Sequence, residues 1–235
     1  MKLYTGTSGF SYKEWVGNFY PEKIKPADML KYYAGQLGVV EINNTFYRLP
    51  NKEVLERWKA ETPEHFLFSI KASQKITHRK LLLDTEEETG YLMENVLVLG
   101  KKLGALFFQF PPWFKKDMGR LSNFLKILPR DIPAVFEFRD GSWYDDEIAA
   151  LLKERNFIFC FSDMDEKERP KIISTADWGY LRLRRREYSA QDLADWMKVI
   201  TAQDWKKALV FFKHEGEGIG PRLAKEFSGM IRPQG

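Results

Sequence analysis

Ala134-Val135-Phe136-Glu137-Phe138-Arg139 alternates strictly. One face carries Ala134, Phe136 and Phe138, and the other carries Val135, Glu137 and Arg139. Successive side chains of a strand point to opposite faces, so one face here is wholly apolar and the other turns charged at its C-terminal end. The pattern repeats in Val39-Val40-Glu41-Ile42-Asn43, where Val40 and Ile42 oppose Val39, Glu41 and Asn43. In 66–71, Phe66, Phe68 and Ile70 oppose Leu67, Ser69 and Lys71; in 179–184, Leu181 and Leu183 oppose Tyr180, Arg182 and Arg184. A barrel strand packs one face on helices and turns the other into the barrel. The apolar face belongs against the helices. The polar ends of the other face then fall where barrel active sites sit.

Eight apolar or alternating runs recur, at 3–7, 39–43, 66–71, 105–110, 134–139, 157–163, 179–184 and 208–214. Each suits a strand in length and is short for a helix. Helical periodicity fills most gaps, at 29–37, 52–60, 86–103, 120–128, 145–153 and 190–200, with a last helix at 221–230. The stretch 164–177 has no clear helix. Alternating strands and helices predict parallel βαβ units, and eight units of about 29 residues predict an α/β fold, a single (β/α)8 TIM barrel. One domain over 1–235 is expected, because no Pro/Gly/Ser-rich linker or low-complexity tract interrupts the chain. The rival is a doubly wound open sheet. Its dinucleotide fingerprint is not matched by Gly6-Thr7-Ser8-Gly9, the one Gly-rich start.

Composition narrows the function classes. The chain has 235 residues, 44% hydrophobic and 30% charged, which is enough apolar mass for a sizeable core. A net charge of +4 is too small to argue for nucleic acid by itself. The single cysteine, Cys160, excludes an intramolecular disulfide framework and a Cys-cluster zinc site. Without a secretory leader pattern or an apolar run of membrane-spanning length, a cytoplasmic protein with no membrane partner is expected.

Several segments resemble a known family. They are Gly6-Thr7-Ser8-Gly9-Phe10-Ser11-Tyr12 with Trp15, Gly17 and Phe19-Tyr20-Pro21; Glu41-Ile42-Asn43-Asn44-Thr45-Phe46-Tyr47-Arg48-Leu49-Pro50; Lys71-Ala72; and Thr77-His78. Phe108-Gln109-Phe110-Pro111-Pro112 and Glu137-Phe138-Arg139 with Ser142-Trp143 complete the set. Together they resemble the YecE-like family, domain of unknown function 72, from the first strand to the last. The resemblance implies a (β/α)8 barrel and brings no established reaction. The chain departs from the family after the seventh strand. Many members resemble Tyr-x-Arg-x-His-Gly there, whereas this chain reads Tyr180-Leu181-Arg182-Leu183-Arg184-Arg185-Arg186.

The candidate site is drawn from the polar strand ends and their loops. Glu41 and Glu137 are the candidate catalytic pair, since two carboxylates in one cleft can divide acid and base roles or hold a hard metal. Asp163 and Glu215 are weaker members of this acidic set. The bland reading is that each carboxylate neutralises a buried Lys or Arg. Lys71, Arg139 and Arg182, with Arg184 and Lys213 outside them, point to an anionic ligand; a guanidinium offers a planar fork to phosphate or carboxylate. Thr7, Asn43, His78, Gln109 and Trp143 complete the candidate substrate-binding set. His78 follows the third strand, where it serves as a general acid or base or merely orders its loop. Trp143 is a candidate stacking wall. The loop from Ser8 to about Asp28 carries Phe10, Tyr12, Trp15, Phe19 and Tyr20, either as a stacking surface or as a packed roof. Cys160 among Phe157, Ile158, Phe159 and Phe161 reads as an inert buried thiol. Arg184-Arg185-Arg186 reads as a phosphate-binding edge or a solvated turn.

These residues predict an enzyme acting on a phosphate-bearing ligand such as a nucleotide, nucleic acid or sugar phosphate. The alternative is a non-catalytic nucleic-acid-binding barrel. No tightly held zinc is expected, because His65, His78 and His214 lie far apart in sequence. An oxygen-only set suits magnesium or manganese, arriving with a substrate that brings its own oxygens.

Overall fold

The computed structural model describes residues 1–48, 50–163, 172–214 and 216–230. The strands are β1 (Lys2–Ser8), β2 (Val39–Ile42), β3 (Leu67–Lys71), β4 (Leu103–Gln109), β5 (Ala134–Glu137), β6 (Ile158–Phe159), β7 (Phe161–Ser162), β8 (Trp178–Leu183) and β9 (Lys207–Phe212). All pair in parallel, in the order β6-β5-β4-β3-β2-β1-β9-β8-β7. The run expected as one sixth strand, 157–163, is two short segments separated by Cys160. The first half bonds to β5 and the second to β8, so one stretch of chain joins both ends of the sheet. The Cys160 N–H still donates to Phe136 O at 2.8 Å. The result is a nearly closed barrel of eight staves, a TIM-like (β/α)8 architecture.

The helices are α1 (Met29–Ala34), α2 (Lys52–Glu61), α3 (Glu86–Val96), α4 (Met118–Ile127), α5 (Asp146–Lys153), α6 (Ala190–Thr201) and α7 (Ile219–Gly229). At α2, α4, α5 and α6 the start is capped by a side chain that satisfies an orphan N–H group. Asn51 accepts from Val54 N, Asp117 from Arg120 N and Asp145 from Glu147 N. Ser189 and Asp192 cap each other's backbone at α6. The helix expected over 86–103 stops at Val96. A 3-10 turn, Leu97–Lys102, follows, and Gly100 at φ 55 turns the chain into β4 two residues earlier than the pattern indicates. Among the described residues no helix stands between β7 and β8.

Two apolar layers follow from the strand alternation. The outward faces, with Val40, Ile42, Phe68, Ile70, Phe136, Phe138, Leu181 and Leu183, form one core with the helices. The inward faces, with Val39, Leu67, Phe107, Val135, Tyr180 and Phe211, fill the barrel. On the outward face Gly179 makes room for Trp205 of the helix-facing core: a Cβ there would lie 2.3 Å from the Trp205 ring. The barrel is therefore a packed core with its polar residues raised to one end, where strand registers align them.

Candidate functional site

Five strand ends build a charged floor across the barrel mouth. Glu41 is the penultimate residue of β2, Lys71 ends β3, Gln109 ends β4, Glu137 ends β5 and Arg182 is penultimate in β8. Register places Ser8 beside Glu41 and Gln109 beside Glu137. Arg182 is the centre. Its Nε and Nη2 face the two oxygens of Glu41 at 2.9 and 3.0 Å, and its Nη1 donates to Glu137 Oε2 at 2.5 Å. Its guanidinium carbon lies 4.7 Å from the centre of the Phe107 ring beneath. Glu41, 0% exposed, also accepts from Ser8 Oγ (2.8 Å), Asn43 Nδ2 (2.9 Å) and the Tyr180 hydroxyl (2.6 Å). Burial alone would raise its pKa. Arg182 and these hydrogen bonds outweigh burial and hold it at about 2.

Glu137, 2% exposed, accepts from Gln109 Nε2 at 2.8 Å and from Arg139 Nε at 3.2 Å. Its pKa is also lowered, with burial opposed by Arg182 and Arg139. Gln109 uses its carbonyl for Lys71, whose Nζ donates to Gln109 Oε1 at 2.8 Å. Lys71 Nζ also lies 4.4 Å from the centre of the Phe46 ring. Burial, then the charge of Arg182, lowers the Lys71 pKa to about 8. Burial, then Lys71 and Arg139, lowers that of His78 to about 4.

Above this floor opens a cavity of about 330 Å³, lined by Tyr12, Asn43, Phe46, Tyr47, Lys71, His78, Gln109, Arg139, Arg182, Arg184 and Lys213. Five of these are Lys or Arg. Among the described lining residues none is a carboxylate. Glu41 and Glu137 lie beneath the lining, where they anchor it. A larger cavity of about 520 Å³ lies to one side and shares Tyr47. It carries Glu87, Glu88 and Glu94 against Arg48 and Lys75, and lacks the cationic excess of the mouth.

The structure thus brings Glu41, Asn43, Lys71, His78, Gln109, Arg139 and Arg182 together at one end of the barrel. Two expected substrate-binding residues are elsewhere. Thr7 points outward from β1: its N–H donates to the Tyr33 hydroxyl at 2.8 Å and its Oγ1 donates to Gly9 O. Trp143 is fully buried, stacked 4.4 Å from Phe138, with its Nε1 donating to Phe114 O. An indole after a polar strand end reads as a wall from sequence, but here it fills the outer core. The loop after β1 is a packed roof. Trp15 and Tyr20 are buried, and Phe19 sits in a ring cluster with Trp15, Tyr20, Tyr32 and Tyr33. Of that loop's aromatics, Tyr12 reaches the cavity.

Asp163 lies off the floor. It accepts from Arg184 N (2.5 Å) and the Tyr188 hydroxyl (2.5 Å), and so fixes the segment that carries Arg184. Burial raises its pKa. Within Arg184-Arg185-Arg186 the roles divide. Arg184 lines the cavity, Arg185 pairs with Asp192 at 2.9 Å, and Arg186 is exposed. His214 Nε2 contacts the carbonyls of Arg185 and Arg186 at 2.7 and 3.1 Å. Cys160 is buried, and burial raises its thiol pKa well up. Glu215 lies outside the described residues. Among the described residues no group of three or more His, Cys, Asp and Glu side chains is arranged to hold a metal ion. No described helix is long and apolar enough to cross a membrane.

Sequence reasoning from the strand faces passed over Phe46 and Tyr47 as site residues, although both line the mouth. Their signal was position: two aromatics in a polar turn directly after the barrel strand that carries Glu41 near its end. Of the two residues that hold Glu41, Tyr180 is marked in the sequence by sharing the inward face with Arg182, whereas Ser8 reads as the start of the loop after the first strand.

A parallel barrel whose C-terminal mouth is a cationic cavity over a buried carboxylate floor defines the class. The chain belongs to the family described as protein of unknown function DUF72, whose model matches residues 4–235. It is 27% identical over 238 residues to the UPF0759 protein YunF of Bacillus subtilis, covering 92% of this chain and 80% of that protein. It is 27% identical over 143 residues to the UPF0759 protein YecE of Escherichia coli, a match spanning 60% of this chain and half of YecE. The DUF72 family protein TM1631 of Thermotoga maritima has a similar structure, with 27% identity and a TM-score of 0.81 over 98% of this chain and 99% of that one. A DUF72 family protein of Enterococcus faecalis shares the fold at 22% identity, with a TM-score of 0.79 over 97% of this chain and 94% of that one.

Proposed function

We propose that this protein is an enzyme acting on a small, anionic, phosphate-bearing ligand held in the barrel mouth. One observation carries the reading: Lys71, Arg139, Arg182, Arg184 and Lys213 line one cavity with no carboxylate among its described lining residues. A concave, cation-lined site with low-dielectric walls focuses potential on an anion. Guanidinium forks match phosphate oxygens. In this reading Glu41 and Glu137 act through Arg182, fixing its plane. The proton-transfer role that the sequence assigns to them passes to cavity-lining groups, Lys71 and His78, whose lowered pKa values favour the neutral base. A magnesium or manganese ion would enter on the ligand's own oxygens, because the lining cations oppose a lone dication. The test is calorimetry with inorganic phosphate, sugar phosphates and mononucleotides. Binding is expected, and its absence at millimolar concentration overturns the reading.

A second reading, a nucleic-acid-binding barrel without chemistry, draws on a line of rings at the rim. Tyr47 lies 5.1 Å from Phe46, Phe46 lies 4.8 Å from His78, and His78 lies 6.2 Å from Trp113. Tyr47 and Trp113 are 74% and 67% exposed. Exposed rings beside a cationic groove suit stacked bases. This reading requires affinity that grows with oligonucleotide length and falls steeply with salt.

A further inference from the structure

Two of the five cations are amines, and an amine does what a guanidinium does not: its neutral form is a nucleophile. Lys71 is the amine set on the floor. Gln109 and the Phe46 ring fix its Nζ, at 2.8 and 4.4 Å. Charged and titratable groups face it from every side of the mouth. Arg182 and Arg184 come from β8 and its end, Arg139 follows β5, His78 sits in the turn after β3, and Lys213 follows β9. Glu41 and Glu137 lie below. The cations disfavour a second ammonium among them, and the carboxylates only partly offset this. With a pKa of about 8, roughly a tenth of Lys71 is free amine at pH 7. An ordinary lysine holds about a thousandth or less.

We propose that Lys71 forms an imine with the carbonyl carbon of a small phosphorylated aldehyde or ketone whose phosphate sits on the surrounding arginines. The proposal rests on the anion-binding reading above and names the substrate class of that same site. The Lys71 Nζ lone pair attacks the carbonyl carbon. A C–N bond forms, the carbonyl π pair moves to oxygen, and the oxygen takes up the proton that nitrogen releases, giving a carbinolamine. That hydroxyl then leaves as water with one further proton from nitrogen, and a C=N bond remains. Amine and carbonyl give imine and water, with no change of oxidation state. With the ligand's phosphate offsetting the surrounding cations, the imine nitrogen takes up a proton and becomes an electron sink for bond cleavage or proton loss at the adjacent carbon.

The test uses the wild-type protein with glycolaldehyde phosphate and cyanoborohydride, which reduces an imine to a stable secondary amine. Peptide mass spectrometry then reads the labelling of every lysine. At pH 7.5 the expected result is saturable labelling of Lys71 at least tenfold above the median lysine. Unphosphorylated glycolaldehyde should not show this preference, and inorganic phosphate should suppress it. The rate at Lys71 should level off above about pH 8, while other lysines keep gaining toward about pH 10.4. Labelling of Lys71 no faster than the median, in protein that binds phosphate by calorimetry, overturns the imine and leaves the anion reading standing. Protein that binds no phosphate overturns both.

Discussion

Arg182 meets Glu41 edge to edge, Nε to Oε2 at 2.9 Å and Nη2 to Oε1 at 3.0 Å, inside a barrel where both side chains are almost wholly removed from water. The Nη2 hydrogen bond and the close ion-pair approach of Nε hold the guanidinium against Glu41, and Glu137 takes the remaining corner. Such a pair contributes little net stability when intact, because desolvation cancels much of the attraction. Breaking it is costly, because a bare charge is left buried.

Arg182→Met leaves Glu41 and Glu137 facing each other without their shared cation. The expected loss is about 3–5 kcal/mol of folding stability. That corresponds to a fall of roughly 6–20 °C in melting temperature for a chain of this size. Urea denaturation of the variant checks it. A loss below about 1 kcal/mol would mean that the floor is hydrated rather than buried.

Glu41 makes the fold sensitive to acid. In the unfolded chain it takes a proton near the ordinary 4.5, whereas in the folded protein it does so only near 2. Between these values the unfolded state binds more protons, so stability falls as pH drops. The contribution is fully present above about pH 5 and gone below about 2, on the order of 3 kcal/mol in all. Glu137 shifts in the same direction and adds to it. Stability measured by urea at pH 6, 5, 4 and 3 should fall less steeply in Glu41→Gln than in wild type. Equal slopes would remove Glu41 as the cause.

Arg139 tests the cavity with less risk to the fold, since its side chain is 27% exposed. Arg139→Ala should weaken phosphate-type ligands about tenfold to a hundredfold, the worth of a charge-assisted contact. Stability should change by less than about 1 kcal/mol. Calorimetry on wild type and variant reads the first effect, and thermal melting reads the second. Unchanged phosphate affinity would place the anion elsewhere.

The barrel was legible because alternation carries it. Val40 and Ile42 against Glu41, or Phe136 and Phe138 against Glu137 and Arg139, state both the period and the side that faces the helices. That these polar residues gather at one end of the barrel was legible for the same reason, since polar residues at the C-terminal ends of inward faces have one place to go. Pairings were not. Sequence spacing does not say that Glu41 meets Arg182, 141 positions away, rather than a ligand. Trp143 and Thr7 lie off the cavity lining for a related reason. Each follows or ends a strand near the mouth, and only packing decides whether such a side chain turns inward. Trp143 is taken by Phe138 and Phe114, and Thr7 by Tyr33. The break at Cys160 was hidden because both halves of 157–163 are apolar; it reflects which neighbour each half bonds, a property of barrel closure.

Trp113→Ala separates the two functional readings. The indole is 67% exposed and approaches His78 edge-on, with 6.2 Å between the ring centres. Its removal should therefore change stability by no more than about 0.5 kcal/mol. If the mouth takes a small phosphorylated molecule, affinity for inorganic phosphate and sugar phosphates should stay within about twofold of wild type, since the cations that hold the anion are untouched. A stacked base would instead lose about 1–3 kcal/mol on removal of its platform. Calorimetry with a sugar phosphate and fluorescence anisotropy with a short single-stranded oligonucleotide, run on both proteins, give the comparison. The expected outcome is unchanged sugar-phosphate binding. A loss of tenfold or more confined to the oligonucleotide would move the assignment to the nucleic-acid reading.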